Sequence, residues 1–259
     1  MELQNTPKEL RMLRRRIRQF RQNVSYQYYE EKSGIVQSGL LSGFKLIDEH
    51  TWGQADLLTK LLGLYEQQNL PILGGSSKST LVDIGAADGY WGVGLVYAGC
   101  FDQSVCFEQR GRGRRVIRRT AVANDIREKV RVAGAATFES LQAELGGLYQ
   151  PEDLFFLIDI EGGEFDLLTF EFLSKYRASE FLIELHTGGD PSAPEKEKRL
   201  IQDARKLFNV CVLDDTKRDL RQLRSEIYLP DDLTWLFASE GRGYPMSWLH
   251  LSPRSEDAV

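Results

Sequence analysis

The chain has 259 residues, a formal net charge of -5 and 42% hydrophobic content, enough for one sizeable α/β domain with an appendage. The acidic balance offers no overall field for nucleic acid, and the three scattered cysteines, Cys100, Cys106 and Cys211, lack C-x-x-C spacing and read as free thiols in a reducing cytosol. The first residues form no signal-type apolar segment and no run approaches the ~20 apolar residues of a membrane span, so the expected setting is cytoplasmic, without a transmembrane segment.

Residues 8–24 predict an amphipathic helix. Leu10, Leu13, Ile17, Phe20 and Val24 recur at three-to-four spacing, while Lys8, Arg11, Arg14, Arg15, Arg16, Arg18 and Arg21 crowd the other faces. Such a helix suits an anionic surface, an acidic partner or a homo-oligomer contact; the plainer expectation is that its stripe packs on the main domain. A second helix is expected over Ala55–Tyr65, and Gly74-Gly75-Ser76-Ser77 reads as a flexible break. That break divides the chain into a helical extension, 1–75, and a main domain, 76–259. The extension carries His50, Trp52 and Tyr65 and is expected to act as a lid that selects the acceptor.

From Ser79 onward, strand-like and helix-like runs alternate. Strands are expected at 80–84, 104–108, 129–133, 154–160 and 180–186, with helices between them at 90–98, 111–124, 138–145 and 163–174. That alternation predicts a doubly wound, mostly parallel sheet. A charged helix over Pro194–Phe208 follows, then β-like pieces at Val210–Leu213, Thr234–Phe237 and Ser247–His250.

The first strand runs into Asp83-Ile84-Gly85-Ala86-Ala87-Asp88-Gly89, a glycine turn that opens a helix. Gly85 and Gly89 would allow a tight turn and close approach of a ligand, and the helix start offers unpaired N–H groups. The second strand ends in Glu108, where a carboxylate can grip a ribose diol. Together these describe a nucleoside-cofactor pocket. The D-x-G-x-x-x-G turn, in place of G-x-G-x-x-G, shifts the reading from a nicotinamide cofactor toward S-adenosylmethionine. Asp83 is expected to order the turn and meet the cofactor's ammonium, and Asp88 to shape the turn. Arg110, Arg112, Arg114 and Arg115 either attract a phosphate-bearing substrate or form a solvated helix face.

The second constellation is Leu154–Ile158 followed by Asp159-Ile160-Glu161-Gly162-Gly163-Glu164. On an extended strand, Asp159 and Glu161 would share a face at the carboxyl edge of the sheet. The fifth strand ends similarly, in Glu184-Leu185-His186. If the two strands are neighbours, these groups converge above the cofactor. Such a set can act as a general base or hold Mg²⁺, and a carboxylate–histidine hydrogen bond explains the same residues without a metal.

The segments "LVDIGAADGYWGV", "TFESL", "LFFLIDIEGGEFDLL" and "FLIELH" resemble, in order and spacing, the FkbM-type methyltransferases over roughly 79–240. The resemblance implies the class I, Rossmann-like fold with a seven-stranded type of sheet. It also implies S-adenosyl-L-methionine as cofactor and a hydroxyl of a sugar or polyketide-type natural product as acceptor. It places Asp83, Gly85, Ala86, Asp88, Gly89 and Tyr90 on the cofactor loop, Glu108 and Gln109 at the ribose, and Ala135 and Asp159 further along the same pocket. From their place at the strand ends, His186 or Asp159 is the candidate general base, with Glu161 as a further catalytic candidate. Ile158 stands where the family's usual Lys lies, and Gly134-Ala135-Ala136 replaces the common G-D-A, leaving adenine to backbone, packing or another side chain. No N-P-P-Y-like segment follows the fourth strand, which argues against nucleic-acid or glutamine amine acceptors. A silent cofactor-binding scaffold and a nicotinamide-dependent oxidoreductase are the rival readings.

Overall fold

The computed structural model describes residues 7–49, 56–188, 191–214, 219–221, 230–242 and 246–254. His50 and Trp52 lie outside the described residues. The amino-terminal helix, α1 (Lys8–Glu31), is longer than its apolar stripe suggests, because no glycine or proline interrupts it before Ser33 and Gly34 take positive φ. Two short helices follow, α2 (Leu57–Leu61) and α3 (Leu70–Gly75).

The main domain alternates β1 (Thr80–Ile84), α4 (Tyr90–Tyr97), β2 (Gln103–Phe107), α5 (Gly111–Ala123), β3 (Val130–Ala133), α6 (Phe138–Leu145) and β4 (Leu154–Ile158). It continues through α7 (Glu164–Leu167), α8 (Phe170–Lys175), β5 (Glu180–Leu185), α9 (Ala193–Leu207), β6 (Phe208–Asp214), α10 (Asp231–Ala238) and β7 (Ser247–Pro253). The strands form a 7-stranded sheet in the order β3-β2-β1-β4-β5-β7-β6. The pairings among β1 to β5 are parallel, and β7 runs antiparallel to both of its neighbours. This is the doubly wound, mostly parallel architecture that the alternation predicts. One expected element is corrected: Thr234–Phe237 is helical, within α10, where Asp231 and Asp232 favour the positive end of a helix.

β4 shows why the sheet has two apolar faces. Phe155 and Leu157 point into a core shared with α4 and with residues of the extension, including Phe44, Leu58 and Leu61. Phe156 and Ile158 point into a second core, with Phe172, Phe181 and Leu200. β1 pairs with both β2 and β4, and the chain order reverses there. The carboxyl ends of these strands therefore open a crevice at the sheet's switch point, the usual ligand position in such sheets.

Candidate active site

A cleft of about 880 Å³ lies over that crevice, within the usual size of a small-molecule site. It runs from Ala135, Ala136 and Phe138 at one end, past the β1 turn and Glu108, to Glu184 and His186 at the other. Asp83, Gly85, Ala86, Asp88, Tyr90, Gln109, Asp159 and Glu161 also line it. The structure thus gathers the sequence-predicted residues into one cleft, with the exception of Gly89, which sits just behind it as the left-handed cap of α4.

Gly85 has φ +92°, and a Cβ there would collide with the Asp159 carbonyl oxygen. Its lack of a side chain therefore serves the crossing of two loops. The Gly85 and Ala86 N–H groups both donate to Phe107 O, at 2.9 and 3.0 Å, so they are already committed to the sheet edge. Asp88 accepts from Tyr90 N at 3.2 Å and pairs with Lys60 at 3.0 Å, which ties the turn to α2. Glu108 is buried, and its two oxygens accept from Ala87 N at 3.1 Å and Arg110 N at 2.6 Å. Gly113 makes room for it: a Cβ there would lie 2.6 Å from Glu108 Cγ.

Asp83 points under the first turn of α4. Burial pushes its pKa up to about 7, against the lowering effect of the Gly92 N–H that it accepts. Gly92 permits this contact, since its Cβ would lie 2.6 Å from Asp83 Oδ2.

The far end of the cleft is a histidine among carboxylates, and here the strand-face argument is corrected. β4 ends at Ile158, so Asp159 and Glu161 do not share a strand face. Asp159 N donates to Ile84 O at 2.9 Å, and Glu161 and Gly162 then take φ of 54° and 100°. This left-handed turn, not strand alternation, brings both carboxylates to His186. His186 Nε2 stands 3.4 Å from Glu184 Oε2, 3.5 Å from Asp159 Oδ1 and 3.7 Å from Glu161 Oε2. On its other edge, Nδ1 is 3.3 Å from Oε1 of the fully buried Glu164. The Glu164 carboxylate also accepts from Gly162 N and His186 N, both at 2.8 Å, so it fixes turn and strand end together.

Burial opposes charge on the His186 ring, but Glu164, Glu184 and Asp159 outweigh it and raise its pKa to about 10. The ring is therefore charged at neutral pH and holds its proton. Burial pushes the Asp159 carboxyl well up, and the neighbouring Glu184 and Glu66 add to this. Burial would raise Glu184 as well, but its bonds to His186 and Arg242 prevail and hold it low.

Sequence reasoning missed the ring of charge behind this site. Arg242 pairs with Glu184, with Glu66 at 3.0 Å and with Glu240 at 2.6 Å. Glu66 also accepts from Trp91 Nε1 at 2.9 Å, and burial, with Glu184 and Glu240 nearby, lifts its pKa to about 8. Glu66 and Arg242 lie far apart in the chain and belong to no local motif, so only their meeting in space reveals them. Glu164 had a local signal, its place directly after Gly162-Gly163.

No family model and no curated protein matches this chain. Solved structures similar to it include an O-methyltransferase from Bacillus cereus in complex with SAH, at 13% identity and TM-score 0.47, covering 90% of each chain. A ribosomal protein L11 methylase from Lactobacillus delbrueckii subsp. bulgaricus is similar at 14% identity and TM-score 0.48, covering 82% of this chain and 86% of that one. The delta-N METTL16 MTase domain reaches 13% identity and TM-score 0.49, over 82% and 90% of the two chains. Among the described residues, no helix is long and apolar enough to cross a membrane.

Proposed function

We propose that this chain is an S-adenosylmethionine-dependent O-methyltransferase of the FkbM type, acting on a hydroxyl of a sugar-containing small molecule. One observation carries the reading. A single cleft joins the glycine turn and Glu108, which suit a nucleoside, to the His186 carboxylate cluster, which suits a hydroxyl. Glu108 would take the ribose diol. Ala136, Phe138 and Ile160 offer an apolar slot for adenine in place of the missing acid after β3.

In the transfer, the acceptor oxygen attacks the sulfonium methyl carbon, the C–O bond forms, and the C–S bond breaks with its electrons going to sulfur. The protein's main task is alignment of oxygen, methyl and sulfur, which can supply ~7–11 kcal/mol. The hydroxyl proton passes to a carboxylate of the cluster, of which Glu161 stands at the open side.

Calorimetry with S-adenosylhomocysteine and, separately, NADH tests the cofactor. Binding of the first alone is expected, and Glu108→Ala should weaken it roughly tenfold or more, the loss of a charge-assisted bond. Release of S-adenosylhomocysteine with a panel of hydroxylated saccharides then tests the acceptor. Tight NADH binding, or unchanged affinity in Glu108→Ala, would overturn the assignment.

A further inference from the structure

We propose that Asp159, Glu184 and His186 form a binding site for one divalent first-row transition-metal ion of the Mn²⁺ or Zn²⁺ type. The inference deepens the methyltransferase reading and rests on it for the ion's place at the acceptor end of the cleft. One atom from each of the three residues lies within 4.8 Å of the others.

The spacing is the first argument. A charged imidazole donating to a carboxylate closes to about 2.7–2.9 Å. Here Nε2 is held 3.4 Å from Glu184 Oε2 and 3.5 Å from Asp159 Oδ1. Ligands bonded at about 2.0–2.2 Å to one cation stand ~3–3.5 Å from each other, which is the separation from Nε2 to each of the two carboxylates.

The surroundings supply the second argument. A metal-bound histidine usually turns its other ring nitrogen to a carboxylate that fixes its orientation. Glu164 stands in that position: it is fully buried, held by two backbone N–H groups, with Oε1 3.3 Å from Nδ1, which makes no hydrogen bond among the described residues. Arg242 occupies Glu184 Oε1, which leaves Oε2 turned toward the histidine. Asp159 Oδ1 is buried with no hydrogen-bond partner among the described residues.

The charge balance is the third. Four carboxyl groups, of Asp159, Glu161, Glu164 and Glu184, face the one imidazole of His186, and Arg242 also pairs with Glu184. A divalent ion offsets the excess and displaces the Nε2 proton as it binds. The imidazole ligand favours a transition metal over Mg²⁺ or Ca²⁺, which prefer oxygen.

The test is a titration of the full chain, freed of metal by chelator, with Mn²⁺ alone at pH 7.5. Loss of the free-ion paramagnetic resonance signal reports binding, and calorimetry with S-adenosylhomocysteine runs on the same sample. We expect saturable binding of one Mn²⁺ per chain, displaced by Zn²⁺ and weakened at least tenfold in Asp159→Asn and in His186→Gln. Should His186→Gln fail to fold, Asp159→Asn decides, and the buried positioning residue is probed with Glu164→Gln, expected to weaken Mn²⁺ about tenfold. Absent or unsaturable binding, or equal affinity in Asp159→Asn, overturns the site. S-adenosylhomocysteine bound without Mn²⁺ overturns the metal and leaves the methyltransferase reading standing. Mn²⁺ bound without S-adenosylhomocysteine overturns that reading and leaves the metal site.

Discussion

Asp83 lies beneath α4 with its carboxylate against the Gly92 N–H, and burial pushes its pKa up to about 7. In the unfolded chain an aspartate titrates near ~3.9. Below that value both states hold the proton. Between the two values only the folded state does, so stability falls as pH rises through that window. At about 1.4 kcal/mol per unit, the loss is on the order of 4 kcal/mol. Asp83→Asn removes the penalty, so the variant should outlast wild type in urea at pH 8 and lose that advantage near pH 4. Parallel stability curves across this range would refute the account. Glu164 predicts the opposite kind of effect. Glu164→Ala leaves the Gly162 and His186 N–H groups without their acceptor inside the protein, at about 1–3 kcal/mol each. Thermal melting should show a loss of roughly 5 °C or more, and an unchanged midpoint would mean that water replaces the carboxylate.

Among the elements, α4 depends most on having no side chain at particular positions. Its residues Tyr90–Val96 are all buried, which no amphipathic pattern predicts. Gly92 lets it descend onto Asp83, and Gly94 onto Leu41, whose Cδ1 would lie 2.7 Å from a Cβ. Gly92→Ala gains helix propensity but overpacks this contact, so a net loss of about 1–3 kcal/mol is expected in chemical denaturation. A stabilised variant would show that α4 can ride up without harm. The loop after β4 depends on backbone conformation instead. Its two successive positive-φ residues, Glu161 and Gly162, place a carboxylate that strand periodicity would have put elsewhere.

Over the whole molecule, the two cores share one sheet, and the extension is part of the first of them. Val36, Leu41, Phe44, Leu57 and Leu61 are as buried as the strands they cover. α1 joins this body only in its second half, where Arg21, Ser25 and Tyr28 are buried. Its first turns stand clear, with Leu10, Met12 and Leu13 exposed, so the expectation that the full apolar stripe packs on the domain is corrected. The helix passes beyond the surface it would need. Removing residues 1–16 should therefore leave the melting midpoint within about 2 °C, the scale of a change below 1 kcal/mol. A larger fall in melting temperature would show that these turns have a packing role.

The alternation of strands and helices, the glycine turn at Asp83–Gly89 and the strand-end acids Glu108 and Glu184 were legible from local pattern, because hydrophobic period and turn chemistry act over a few residues. Those patterns sufficed for a doubly wound sheet with a cleft at its carboxyl edge. The helical state of Thr234–Phe237 was not legible, since a short apolar run suits either period. Nor was the job of Gly85, whose missing Cβ answers to the carbonyl of Asp159 on another loop. Sequence alone placed Asp159, Glu184 and His186 on two strand ends. Only the tertiary structure decided that β4 and β5 are neighbours, that Glu164 backs the imidazole, and that Arg242 and Glu66 close the ring of charge. Such electrostatic partners are chosen by distance in space, where the low dielectric of a buried cleft makes each neighbour count, and that distance is set by the packed sheet.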